Sequence, residues 1–423
     1  MVRESESEQP QFMSSSPARI AAVFVFCAAV ALCLRLRTDT LRPGGPGWDA
    51  PADHHKYIYI AEHPLGAFHI QPPCWRIGVP ALTKILPFPA YRGFDVLSVV
   101  FLGLSGGVLY LWLLSIPMEP RWAFLGVLMF FSLGGASKMM LTSGATPDPA
   151  SYFFTLLALY AIYREDDFLC MIALALGVLT KETVLLVGPL HYSLRAATWW
   201  DYRRFKRCAM VCIPSICVLI AVRGLIPAWN DRDDYVRSLP LIYTQVGFGI
   251  AKYDLITAFR GTLWTYRQMT AINLLRTFTY GSLGIHFFLP FAAPQANREP
   301  LLRWSPFWVP MLASMLIAVN PDRRVSSLFP VLIVLGLNGI KVLSSALCLE
   351  VRHFQILFAL LSALLLLKKD VSIVPFDLVA AVSLFWLCWA VARRPFPLSG
   401  SPDPHAISAA RDKQILPEAA NTR

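Results

Sequence analysis

The interval WDAPADHHKYIYIAEHPLGAFHIQPPCWRIGVPALTKI collects carboxylates, histidines, tyrosines and an arginine in one polar loop of a largely apolar chain. A helix over Pro51–His63, opened by Pro51 and ended by Pro64, sets Asp53 and Tyr57 on one face at i, i+4. A carboxylate in that place can take a proton as a general base, or simply cap the helix. A second helix after Pro72–Pro73 carries Trp75 and Arg76. Its guanidinium can grip a phosphate through paired N–H donors, or lie beside lipid headgroups. Further along, Asp148 stands between two prolines, Lys181–Glu182 interrupts an apolar run, and Arg323–Arg324 follow Asp322. Ionisable residues at membrane depth are costly to keep and are functional suspects by default.

His54, His55, His63 and His69, with Asp53 or Glu62, invite a zinc reading. The chain has neither H-E-x-x-H nor C-x-x-C spacing, so no dedicated metal site is expected. Eight of the nine cysteines lie in or beside apolar runs, and Cys74 has no evident partner, which argues against a disulfide framework.

These polar residues must be positioned by membrane helices. The 423 residues are 56% apolar and 15% charged, against about 45–50% and about 25% in soluble domains. The formal charge, 38 − 27 = +11, is concentrated in short loops between apolar runs. That pattern suits topogenic charge better than a nucleic-acid face. The expected fold class is all-α, a polytopic transmembrane bundle of about 10–12 spans with a long first outer loop carrying short interfacial helices.

Apolar runs at Ile20–Leu34, Phe94–Ile116, Trp122–Leu141, Ser151–Tyr163, Phe168–Thr180, Thr183–Leu194, Cys208–Ala228, Thr277–Ala293, Phe307–Val319, Leu328–Leu347, Phe354–Leu367 and Val371–Ala392 supply the spans. With the N-terminus inside, Arg121, Arg164, the Arg195–Arg207 cluster, Arg298, Arg303, Arg352 and Arg393–Arg394 all fall inside, as the positive-inside tendency requires. This needs the run Phe168–Leu194 to be a hairpin with its apex at Lys181–Glu182. The expected organisation is a disordered tail over 1–16, a transmembrane domain over 17–393 with outer loops 35–92 and 229–276, and a disordered tail over 394–423. Asp53, Arg76, Asp148, Lys181, Glu182, Arg323 and Arg324 then share one side of the membrane. Tyr57, Ile58, Tyr59 and Ile60 suit a helix lying at the interface, with its rings at headgroup depth.

Asp53-His-His-Lys-Tyr57-Ile-Tyr-Ile60-Ala61 resembles the first outer loop of the type C glycosyltransferases, integral membrane enzymes that take a sugar from a polyprenyl-phosphate carrier. Pro72-Pro-Cys-Trp-Arg76-Ile-Gly-Val-Pro80-Ala-Leu82 is similar to the pattern that often follows in the bacterial branches. Thr146-Pro-Asp148-Pro, Gly177-Val-Leu-Thr-Lys181-Glu182 and Asp322-Arg323-Arg324 resemble later motifs of the same proteins, in the same order. The chain departs from them in two respects: it has no adjacent acidic pair, Asp49 and Asp53 being separated by three residues, and His54 and His55 stand where histidine is not expected.

The resemblance implies a transferase acting on the outer face, with an inverting mechanism. Asp53 would be the base and Asp148 a second catalytic acid. Tyr57, Arg76, Lys181, Glu182, Arg323 and Arg324 would bind substrate, the cations holding the departing phosphate. The second outer loop, with Tyr235, Tyr243, Tyr253, Trp264 and Tyr266, would cover the acceptor or the lipid head. The implied partners are a polyprenyl-phosphate-linked sugar, a glycan, lipid or protein acceptor, and membrane lipids, with no nucleic acid. The implied place is a bacterial inner membrane. No cofactor is required by the residues, although a divalent cation, Mg or Mn, can sit between a carboxylate and a substrate phosphate. The rival readings are a transporter or lipid flippase, and an inactive relative that binds a partner. The first is disfavoured because the two halves show no clear repeat.

Overall fold

The structure is a computed structural model that describes residues 16–38, 53–116, 118–142, 144–196, 200–229, 237–239, 255–270, 283–317, 325–367 and 378–393. Among these every regular element is helical. Helix α1 (Pro17–Leu36) is followed by α2 (Asp53–Glu62), a 3₁₀ turn at Pro73–Trp75, α3 (Gly78–Ile85), α4 (Ala90–Ser115), α5 (Pro120–Ser132), α6 (Lys138–Thr142) and α7 (Asp148–Arg164). Then come α8 (Asp167–Thr180), a 3₁₀ segment Glu182–Val187, α9 (Leu190–Ser193) and α10 (Tyr202–Leu225). The later helices are α11 (Leu255–Gln268), α12 (Pro294–Arg303), α13 (Ser305–Ala313), α14 (Phe329–Leu347), α15 (Val351–Leu367) and α16 (Leu378–Ala392).

Four of them, α1, α4, α10 and α14, are long and apolar enough to cross a membrane; other apolar helices, α5, α8 and α15 among them, are shorter. Helix α4 packs between α1 and α7, α7 packs on α8, and α8 on α10. Trp112, Phe130, Phe131, Trp304, Phe307 and Phe329 fill the centre.

The bundle has two chemically distinct ends. Asp167 at the start of α8 meets His191, Arg195 and, from the start of α10, Arg207. Helices α8 and α10 therefore run in the same direction. Their other ends carry Lys181 and Arg223, beside the segment from Asp53 to Ile85. A second, smaller apolar cluster ties that segment down: Tyr57, Ile60, Phe68 and Cys74 pack with Phe94 of α4 and with Val222 and Ile226 at the end of α10.

The hairpin expected at Lys181–Glu182 is present. Helix α8 stops at Thr180, Lys181 is extended (φ −163°, ψ 131°), and the chain turns back through the 3₁₀ segment. Gly177 makes this return possible, since a Cβ there would lie 2.5 Å from Val184 Cγ1 and 3.0 Å from Phe154 Cβ.

Other expectations are corrected. The run Trp122–Leu141 is not one helix: α5 ends at Ser132, Gly134–Gly135 lie in the turns that follow, and α6 starts at Lys138. Lys138 is fully buried and donates to the Leu365 carbonyl at 2.9 Å, near the C-terminal end of α15, where a cation complements the helix dipole. In the run Thr277–Ala293, the part described is a pair of 3₁₀ segments, Gly284–Phe287 and Leu289–Ala292. Gly284 takes φ +57°, and Pro290 lacks the N–H an α-helix would use.

Helix α2 packs against the rest of the protein along most of its length. Tyr57, Ile58 and Ile60 are buried, as are His54, His55 and Lys56, because the helix sits between α3, the 3₁₀ turn at Pro73–Trp75 and α4. Both tails, apart from Ser16, lie outside the described residues.

Candidate functional site

Tyr57 sits on the second turn of α2 with its ring packed in the smaller apolar cluster and its hydroxyl aimed at Arg76. Arg76 follows the 3₁₀ turn as its C-terminal cap. Its Nη1 donates to Tyr57 Oη at 3.0 Å, its Nε to Glu182 Oε2 at 3.0 Å, and its Nη2 to Glu182 Oε1 at 3.3 Å. The planar fork is thus spread between a carboxylate and a phenol, a geometry that a lysine cannot reproduce. Burial works against the charge on Arg76, but Glu182 and Tyr57 outweigh it and hold the guanidinium well above its ordinary pKa. Burial likewise pushes the Tyr57 phenol up, aided by the nearby charges of Asp53 and Asp148 and opposed by Arg76. Tyr57 therefore stays protonated, with its oxygen accepting from Arg76.

The second pair lies one residue away along the hairpin. Asp148 opens α7, where the helix dipole favours an anion, and Lys181 donates to its carboxylate. Both side chains are buried. Gly78 lets α3 approach the end of α8 closely, as a Cβ there would lie 3.1 Å from the Leu179 carbonyl carbon and oxygen. The site is thus assembled from three distant stretches: 53–57 with 73–78, 148, and 177–184.

Asp53 differs from the other acids. It pairs with Lys56 at 3.3 Å one turn on, yet its side chain is 36% exposed while that of Lys56 is buried. It is the most exposed acid of the group, and it acts electrostatically on Tyr57. Asp53, Tyr57, Arg76, Asp148, Lys181 and Glu182 therefore form one connected charge network. Arg323 and Arg324 lie outside the described residues, as do Asp49, Tyr235, Tyr243 and Tyr253. Of the other aromatic residues expected to cover the site, Trp264 is exposed and Tyr266 donates to the Met315 carbonyl at 2.9 Å.

Two features escaped the sequence reading. Lys56 is a buried counter-ion, signalled only by its i, i+3 distance from Asp53. Arg223 stands at the end of an apolar span and lies over the Trp75 ring, 4.5 Å from its centroid. Around it the first polar segment is clasped to the end of α10. Trp75 Nε1 donates to the Ile226 carbonyl at 2.9 Å, the Trp229 N–H donates to the His69 carbonyl at 2.9 Å, and His69 Nδ1 lies 2.9 Å from the Pro227 carbonyl.

The histidines do not converge. His54 and His55 face each other, His63 stacks on Tyr59, and His69 stacks on Trp229. Among the described residues no group of three or more His, Cys, Asp or Glu side chains could hold a metal ion. Asp53, Asp148 and Glu182 each already face a cation of the chain. This donor set does not fit a resident divalent cation, whose carboxylate ligands would first have to be freed.

No protein-family model and no curated protein matches the chain. Among solved structures, the chain is similar to an oligosaccharyltransferase of Archaeoglobus fulgidus, crystallised tethered through a disulfide to an acceptor peptide containing the NVT sequon. The TM-score is 0.49 at 13% identity, over 93% of this chain and 57% of that one. The chain thus spans less than two thirds of that protein's length.

Proposed function

We propose that the protein is a membrane glycosyltransferase that moves a sugar from a polyprenyl-phosphate carrier to a glycan, lipid or protein acceptor on the outer face of a bacterial inner membrane. The reading rests on one observation above the others: a partly exposed carboxylate, Asp53, at the edge of a buried network of cations and acids at one end of a helical bundle. Asp53 takes the proton of the acceptor hydroxyl, whose oxygen attacks the anomeric carbon with inversion. The bond from that carbon to the carrier phosphate breaks, and the phosphate leaves with its electron pair. Arg76 and Lys181 supply positive potential behind the departing group. Glu182 and Asp148 hold those cations in place, so little reorganisation is needed as charge develops. Metal is not required in this scheme, because the chain's own cations fill the part.

The deciding experiment uses the full chain in nanodiscs with a polyprenyl-phosphate sugar and measures release of polyprenyl phosphate. Release by the wild type and its loss in Asp53→Asn, with folding intact, is the expected result. Undiminished release by Asp53→Asn overturns the base assignment. A second reading, a relative that binds the carrier without turnover, is favoured by the neutralisation of every described acid in the network. Carrier binding with no release by the wild type would establish it.

A further inference from the structure

We propose that Arg223, laid over Trp75, is the phosphate-recognition group of a lipid-phosphate site whose hydrocarbon tail runs along the exposed face of α10. This inference rests on the carrier-dependent function proposed above and adds to it the place where the carrier is held.

Two features carry it. First, Arg223 is exposed. The cations around the catalytic network that pair with described carboxylates are Lys56, Arg76 and Lys181, and Arg223 is not among them. Its contact is with the Trp75 ring. The ring holds the guanidinium from one side, and the exposure of Arg223 leaves N–H donors open to a planar or tetrahedral anion. Trp75 is itself fixed by its bond to the Ile226 carbonyl, so the platform is rigid. Trp75 also immediately precedes Arg76, and Arg223 acts electrostatically on Cys74 together with Arg76 and Glu182. An anion on Arg223 therefore lies beside the network.

Second, Ile213, Ile216, Ile220 and Arg223 recur at spacings of three and four residues, so they share one face of α10. Ile213, Ile216 and Ile220 are exposed, at 52%, 40% and 65%. At about 1.5 Å per residue they form an apolar track about 15 Å long that leads to the cation. A long-chain lipid phosphate matches this arrangement at both ends, in charge and in hydrophobicity. Free phosphate matches only the head.

The test measures binding of decaprenyl phosphate to the full chain in phosphatidylcholine nanodiscs, with inorganic phosphate and phosphatidylglycerol as competitors. Arg223→Gln is expected to weaken binding about tenfold or more, the loss of a charged hydrogen-bonding partner. Arg223→Lys, which keeps the charge and disturbs the fold least, is expected to fall between the two. Arg352→Gln, a remote exposed arginine, is expected to bind as the wild type. Binding by Arg223→Gln within twofold of the wild type overturns the proposal, as does equal competition by phosphatidylglycerol or by inorganic phosphate. Failure here is separable from failure of the transferase reading. Asp53-dependent transfer with unchanged binding in Arg223→Gln sinks this site alone. Arg223-dependent binding without any transfer sinks the reaction and leaves the site standing.

Discussion

Lys181 donates to the Asp148 carboxylate across 33 positions of sequence, and both side chains are buried. Removing one partner strands the other charge away from water, which costs about 3–5 kcal/mol. Lys181→Met and Asp148→Asn are each expected to lose stability of that order, measured by unfolding in detergent or by thermal melting. Combining Lys181→Met with Asp148→Leu should recover much of the loss, because no buried charge is left. If the single variants melt as the wild type does, the pair is not the structural tie described.

Asp53 should separate from Asp148 in its response. Asp53→Asn keeps an acceptor oxygen for the buried Lys56 but removes its counter-charge, so a smaller loss of stability than in Asp148→Asn is expected, whereas transfer should fall about 10²–10⁴-fold, the usual contribution of a positioned base. A variant that melts early and transfers normally would reverse the roles assigned to these two acids.

Arg76 joins Tyr57 to Glu182, and its value lies in its shape as well as its charge. Arg76→Lys should lose at least one of these bonds and destabilise by about 1–3 kcal/mol. In a double-mutant cycle with Tyr57→Phe, a coupling of about 0.5–3 kcal/mol is expected. Strict additivity would mean that the phenol and the guanidinium act independently.

Gly177 allows the hairpin after α8 to fold back. Gly177→Val places carbon where Val184 and Phe154 already stand, and overpacking of this kind costs about 1–3 kcal/mol. The shift should also move Lys181 away from Asp148. Destabilisation in this variant should therefore be partly redundant with that of Lys181→Met, and full additivity would separate the hairpin from the ion pair.

Because Asp53, Asp148 and Glu182 each face Lys56, Lys181 or Arg76, transfer is expected to persist in EDTA at the rate seen with added Mg or Mn. A rate abolished by the chelator and restored by either ion would show that a carboxylate leaves its cation to bind metal.

Local features of this protein were legible in the amino-acid order alone. Apolar runs bounded by Arg, Lys and Pro marked the long helices, since hydrophobic length and turn chemistry act within a few residues. The interruption at Lys181–Glu182 marked the hairpin for the same reason, and the i, i+4 distance put Asp53 and Tyr57 on one face of α2. Tertiary structure alone decided which charges meet. Arg76 and Glu182 are 106 positions apart, and nothing in the spacing distinguishes Glu182 from any other acid as its partner. It also decided that α2 is buried, although Tyr57-Ile-Tyr-Ile60 reads equally well as an interfacial helix, and that Arg223 lies on Trp75. Side-chain period reports which face a residue occupies, while the neighbour opposite that face is supplied by another part of the chain, so ion pairing and burial emerge only when the helices pack.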